Sequence, residues 1–132
     1  MNDVFVDTNV FIADIVEEEE RFQESKIFLN RDLDFVTSII NIMEIRTVLS
    51  KKKNLERDKI EECLNEVTDS VEVIIPDSSD MMKANGNQRE SYAYPFDSII
   101  MATAENAGLE IVSFDSEMID NGAVRPEKFM QK

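Results

Sequence analysis

The sequence predicts an α/β fold of three layers, α/β/α, with a central and mainly parallel sheet. Three observations carry that expectation: short β-branched runs recur along the chain, longer stretches with helical spacing separate them, and the glycines and prolines fall at element ends instead of forming a linker. Strands that alternate with helices bury both faces of a parallel sheet under helical layers.

The elements follow in order. Val4-Phe5-Val6 is a short apolar run suited to a buried strand, and helical spacing extends over roughly 9–30. Asp34-Phe35-Val36-Thr37 forms the second strand, and Ser38 then stands as the N-cap of an apolar stretch over 39–53. A further helix is expected over 56–69, and Val71-Glu72-Val73-Ile74-Ile75, closed by Pro76, is the third strand. Helical spacing returns over 78–92 and again over 96–107, the latter opened by Pro95 and stopped by Gly108. Glu110-Ile111-Val112-Ser113 is the fourth strand. With 132 residues and no repeat or low-complexity tract, the whole span 1–132 is expected to be one domain.

Composition excludes several kinds of chemistry. No apolar run approaches the roughly 20 residues that span a bilayer, and the first residues read as a strand and not a signal peptide, so a cytoplasmic location is expected. There is no histidine, which removes histidine-based triads, histidine acid/base chemistry and histidine-ligated zinc. Cys63 is the only cysteine and lies among Ile60, Leu64 and Val67 on a helix, where a free thiol packs as a small hydrophobe. The net charge of −14 opposes a classical basic nucleic-acid face. Three explanations are open: a solvated acidic surface, selection in a salty or hot cytoplasm, or a carboxylate metal site whose cations cancel part of the charge.

Four carboxylates are candidates through their joint arrangement, two on apolar helices and two just after strands. Projected at about 100° per residue, Phe96, Ile99, Ile100, Thr103, Ala104 and Ala107 share a face, and Asp97 falls between Ala104 and Met101, away from Ser98, Glu105 and Asn106. Residues 39–49 are apolar nearly all round, so Glu44 on that helix needs a partner, and Arg46 projects to a different side. Asp7 and Asp115 each follow a strand, where an N-cap or Asx-turn explains them as well as a functional role does. In an open α/β sheet the carboxyl ends of strands form the ligand-binding edge, and all four acids can converge there. Clustered carboxylates without cations repel one another, and oxygen-only ligation suits Mg²⁺ or Mn²⁺. Such ions support phosphoryl chemistry.

These segments resemble a known family. Val4-Phe5-Val6-Asp7-Thr8-Asn9-Val10-Phe11-Ile12 resembles the opening strand of PIN domains, and Ser38-Ile39-Ile40-Asn41-Ile42-Met43-Glu44-Ile45 their second acidic motif. Tyr94-Pro95-Phe96-Asp97-Ser98-Ile99-Ile100-Met101-Ala102-Thr103-Ala104 is similar to the third, and Ile111-Val112-Ser113-Phe114-Asp115 to the fourth. The resemblance covers nearly the whole chain in the family's order. It implies a three-layer PIN-like fold and an endoribonuclease using Mg²⁺ or Mn²⁺, with Asp7, Glu44, Asp97 and Asp115 as metal ligands and Asn9 and Ser113 in support. It also implies RNA as substrate, a homodimer, and a small antitoxin as partner, as in VapC-type toxins. Two departures stand out: Ser113 replaces the usual threonine, and Phe114 stands where the family often has a basic or polar residue.

Other readings compete. An aspartate-based phosphatase would need a second acid where Asn9 stands. A catalytically silent PIN-like module that binds RNA or protein remains an alternative, because fold does not guarantee activity. Lys51-Lys52-Lys53 is a solvated helix end or a guide for RNA phosphates. The apolar side chains Phe11, Ile12, Ile15 and Phe22 exceed one helix face, so they pack in the core or form a partner surface.

Overall fold

The computed structural model describes residues 2–130. Four strands, β1 (Asp3–Val6), β2 (Asp34–Ser38), β3 (Glu72–Ile74) and β4 (Ile111–Val112), form one sheet in the order β3-β2-β1-β4. Every pairing is parallel, with Phe5 opposite Val36 on one side and Ile111 on the other. The chain moves outward from β1 through β2 to β3, then returns to place β4 on the far side of β1. That reversal puts the topological switch point between β1 and β4, the position where open α/β sheets bind ligands.

Among the described residues seven α-helices cover the sheet: α1 (Thr8–Ile15), α2 (Phe22–Leu29), α3 (Ile39–Thr47), α4 (Arg57–Ser70), α5 (Ser78–Ser91), α6 (Pro95–Asn106) and α7 (Ser116–Asp120). Alternation along β1 divides the core in two. Val4 and Val6 pack with Val10, Ile42, Ile45 and Leu64 from the α1, α3 and α4 layer. Phe5 points the other way, onto Ile100 and Ala104 of α6 and Met118 of α7. The three layers expected from the sequence are therefore present. No helix among the described residues is long and apolar enough to cross a membrane.

The expected caps are in place. Ser38 Oγ accepts the Asn41 N–H, Pro95 opens α6, and Gly108 adopts φ +73° just past its end. α5 begins with a reciprocal pair, Asp77 on the Asp80 N–H and Asp80 on the Asp77 N–H, and Asn106 of α6 donates to the same Asp80. Cys63 is buried on α4 beside Ile60, Leu64 and Val67, and burial pushes its thiol pKa up, away from reactivity.

Several expectations are corrected. The helix over 9–30 is two helices: Ala13 C=O accepts the Glu18 N–H at 3.0 Å, and Glu17 turns to φ +52°, which closes α1 by a Schellman-type arrangement. Four consecutive glutamates, Glu17 to Glu20, follow, and their mutual repulsion disfavours a continuous helix there. The stretch 39–53 is α3 followed by a π-helical turn over Val48–Lys52, in which Lys53 N–H reaches Val48 C=O at 3.1 Å. α3 is not buried all round, because Ile39 and Met43 are exposed. On α6 the buried set is Ser98, Ile100, Ala102, Thr103 and Ala104, whereas Phe96 and Ala107 are exposed. The projection assumed one buried stripe, but α6 meets both the sheet-side core and α5. Phe11 and Ile12 belong to the core, and Ile15 packs against it, so core packing accounts for them.

Candidate functional site

The loop leaving β1 sets the centre. Asp7 is the N-cap of α1, its Oδ1 accepting the Thr8 N–H at 2.8 Å, and its side chain is only 5% exposed. A carboxylate this buried requires donors. Asn41 Nδ2 donates to Oδ1 at 3.2 Å and Ser113 Oγ donates to Oδ2 at 2.8 Å. Burial raises the Asp7 pKa and the nearby Asp115 charge adds to the rise, while the bonds from Ser113, Thr8 and Asn41 oppose it.

Ser113 ties the two strand ends together. Its single proton goes to Asp7, and its oxygen accepts from Asn9 Nδ2 at 3.1 Å and from the Asp115 N–H at 3.0 Å. Asn9 Oδ1 in turn accepts the Phe114 N–H at 3.0 Å. Both residues expected to support the acids thus touch this network. Serine supplies the hydroxyl that the family's usual threonine would offer. The Phe114 ring is buried, with the guanidinium carbons of Arg21 and Arg125 at 4.9 and 5.0 Å from its centroid. That side chain is committed to packing.

The other acids arrive on helices. Glu44 on α3 accepts a 2.7 Å bond from Thr8 Oγ1, and Thr8 Oγ1 accepts from Asn41 Nδ2 at 3.0 Å. Burial raises the Glu44 pKa, and the charges of Asp7 and Asp97 add to the rise against the Thr8 bond. Arg46 is not its partner; it pairs with Glu61 of α4 at 2.9 Å. Asp115 caps α7 by accepting the Met118 N–H at 2.9 Å. Asp97, in the first turn of α6, has no hydrogen-bond or salt-bridge partner among the described residues. Burial, then the charges of Asp7, Asp115 and Glu117, push its pKa up to about 6.

All four carboxylates line one open cavity of about 650 Å³. Ile40, Val48 and Met118 contribute apolar walls, and Lys52, delivered by the π-helical turn, is the one basic residue among those lining it. π-helical turns are frequent at functional sites. The donor chemistry fits a hard divalent cation: oxygen ligands only, repelling charges, and a half-buried Asp97 with no cation beside it. Among the described residues no group of three acidic or sulfur side chains is arranged to hold an ion.

Thr8 and Asn41 were not singled out from the sequence as members of the site, whereas Lys52 was read there, within Lys51-Lys52-Lys53, as a solvated helix end or a guide for RNA phosphates. A signal for Asn41 was available: a polar side chain in an apolar helix, one turn before Glu44 and therefore on its side.

Fold and cavity together define a class, an open-sheet α/β protein with an acidic, oxygen-lined cleft at its topological switch point. Residues 4–123 match the PIN domain family, and the chain belongs to that family. No curated protein sequence matches it. Similar solved structures include a toxin–antitoxin complex from Klebsiella pneumoniae, with TM-score 0.73, 23% identity, and 93% of this chain and 97% of that one covered. Another is VapC20 of Mycobacterium tuberculosis, described as a sarcin–ricin-loop-cleaving toxin, with TM-score 0.75, 20% identity, and coverage of 92% and 96%. PAE2754 of Pyrobaculum aerophilum has TM-score 0.74 and 19% identity, with coverage of 97% and 86%. At these identities the likeness establishes the fold.

Proposed function

We propose that this chain is a metal-dependent endoribonuclease that hydrolyses RNA phosphodiester bonds, acting as the VapC-type toxin of a toxin–antitoxin pair in the cytoplasm. The observation that carries the reading is the convergence of Asp7, Glu44, Asp97 and Asp115, from four separate elements, on one cavity in a PIN-family chain. The toxin assignment draws support from structural neighbours described as a toxin–antitoxin complex and as a sarcin–ricin-loop-cleaving toxin.

The four acids would hold Mg²⁺ or Mn²⁺. When bound, such an ion supplies a polarised water and offsets charge building on the phosphate. The chain's residues supply the rest. Ser113, Asn41 and Thr8 fix the Asp7 carboxylate, Thr8 fixes Glu44, and Asn9 anchors the turn that carries Asp115. Lys52 gives the RNA phosphate a cation at the cavity wall, which matters in a chain of net charge −14. A small antitoxin is the partner we assign. A homodimer is the assembly we assign.

Cleavage of RNA by purified protein in Mn²⁺ tests the reading. The parent and Asp14→Asn, a change outside this cavity, should cut, whereas Asp97→Asn and Glu44→Gln should not. Cleavage by Asp97→Asn at the parent's rate would overturn the four-carboxylate mechanism. The alternative is a catalytically silent RNA- or protein-binding module, because membership of a fold family does not by itself guarantee activity. RNA retained but uncut by the parent in Mn²⁺ decides for it.

A further inference from the structure

Two side chains beside the acids are left over by this function. Met43 adjoins Glu44 on α3, and Phe96 adjoins Asp97 at the start of α6; they are 53% and 56% exposed, and both line the acidic cavity. Successive helical residues point about 100° apart, so the neighbour of a cavity-facing acid is carried toward the rim. Large apolar groups left in water next to a polar site mark a contact still to be made.

The rim and floor differ in chemistry as the parts of a nucleotide do. Carboxylates suit the metal and phosphate, while Phe96 offers an aromatic face and Met43 a polarizable thioether. Charge strengthens the case. Nucleic-acid binders ordinarily draw affinity from many Lys and Arg contacts to phosphates, and this cavity has only Lys52 among its lining residues. Base stacking needs no net charge and accepts any base.

We infer that Met43 and Phe96 form a slot that grips the nucleobase next to the cut phosphate. The inference rests on the proposed ribonuclease function and narrows its substrate to an unstacked nucleotide, in a single-stranded segment or flipped from a helix. A base held in the slot fixes its own backbone over the acids, so Phe96 is a positioning residue. A second copy of the chain is the competing occupant. The slot is favoured because both side chains open into the same cavity as the carboxylates.

The test uses a single-stranded oligoribonucleotide whose cut position has been mapped with the parent in Mn²⁺, and the same oligonucleotide carrying an abasic residue there. Phe96→Ala should raise KM on the order of tenfold with little change in kcat. Phe96→Tyr should restore the parent KM and Phe96→Leu should not. The abasic substrate should raise KM for the parent but no further for Phe96→Ala, and Met43→Ala should show a smaller effect of the same kind. The Mn²⁺-induced rise in Tm should be unchanged in every variant, which separates a substrate contact from damage to the metal site. Parent-like KM in Phe96→Ala, or equal rescue by leucine and tyrosine, overturns the slot while leaving the nuclease intact. A KM change that tracks loss of a dimer in light scattering assigns the pair to a copy-to-copy contact instead. A parent that neither binds nor cuts RNA overturns both readings.

Discussion

Asp97→Asn is the most informative single substitution, because the structure sets both the sign and the ceiling of its effect. The change keeps the size of the side chain and removes a charge that faces Asp7, Asp115 and Glu117 without a cation beside it. The Asp97 pKa lies near 6 against an ordinary 3.8, about two units, and at about 1.36 kcal/mol per unit the ceiling is roughly 3 kcal/mol. The group is about half exposed, and solvent screening reduces that to about 1 kcal/mol. A raised carboxyl pKa stabilises the folded chain while the group is protonated, so this contribution is complete below about pH 4 and is lost as pH rises through 6. Parent and variant should therefore have similar Tm at pH 4, and at pH 7.5 without divalent metal the variant should melt about 2–5 °C higher. In saturating Mn²⁺ the order should reverse, because the parent gains a ligand interaction that the variant lacks. Thermal scans at the two pH values, with and without Mn²⁺, measure all four states. A variant that melts below the parent at pH 7.5 without metal, or that keeps the parent's full response to Mn²⁺, refutes the reasoning.

Three further outcomes are expected. Mg²⁺ or Mn²⁺ at about a hundredfold excess over its dissociation constant should stabilise the parent by about 2.7 kcal/mol, and a monovalent salt of matched ionic strength should not reproduce the shift. Ser113→Ala should lose about 1–3 kcal/mol in urea unfolding, because it removes a donor to buried Asp7 and the acceptor for Asn9 and the Asp115 N–H; a change below half a kcal/mol would contradict the network. Lys52→Ala should raise KM for RNA and flatten the dependence of log KM on log salt by about one ion, with the metal-induced Tm shift intact.

How much of this was legible in the sequence depended on whether local order alone decides the feature. The four strands and most helix ends could be read because β-branched runs, Ser38, Pro95 and Gly108 act within a few residues of themselves. The acids could be singled out because two followed strands and two sat on apolar helices, and the fold carries all four to one cavity. The rest depends on neighbours distant in sequence. α6 buries Ser98 and Ala102 because a second helix lies alongside it, and no projection of one helix contains that neighbour. The Thr8–Glu44 and Asn41–Asp7 bonds join residues 36 and 34 positions apart. Lys52 reaches the cavity through a π-helical turn, a departure from 3.6-residue spacing that the pattern of side chains does not announce.

The strand order has a consequence for synthesis. β1 is made before the other strands of the sheet yet lies inside it, and the hydroxyl that holds Asp7 from the far side belongs to Ser113, 106 residues later. At about 5–20 residues per second, a growing chain carries Asp7 for on the order of ten seconds before Ser113 and Asp115 exist. Until then the β4 side of β1 has no strand to pair with, and the cleft lacks one of its walls. The ribosome must therefore pass β4 before the acids can meet, and the timing of any activity is set by the slot β4 fills beside β1.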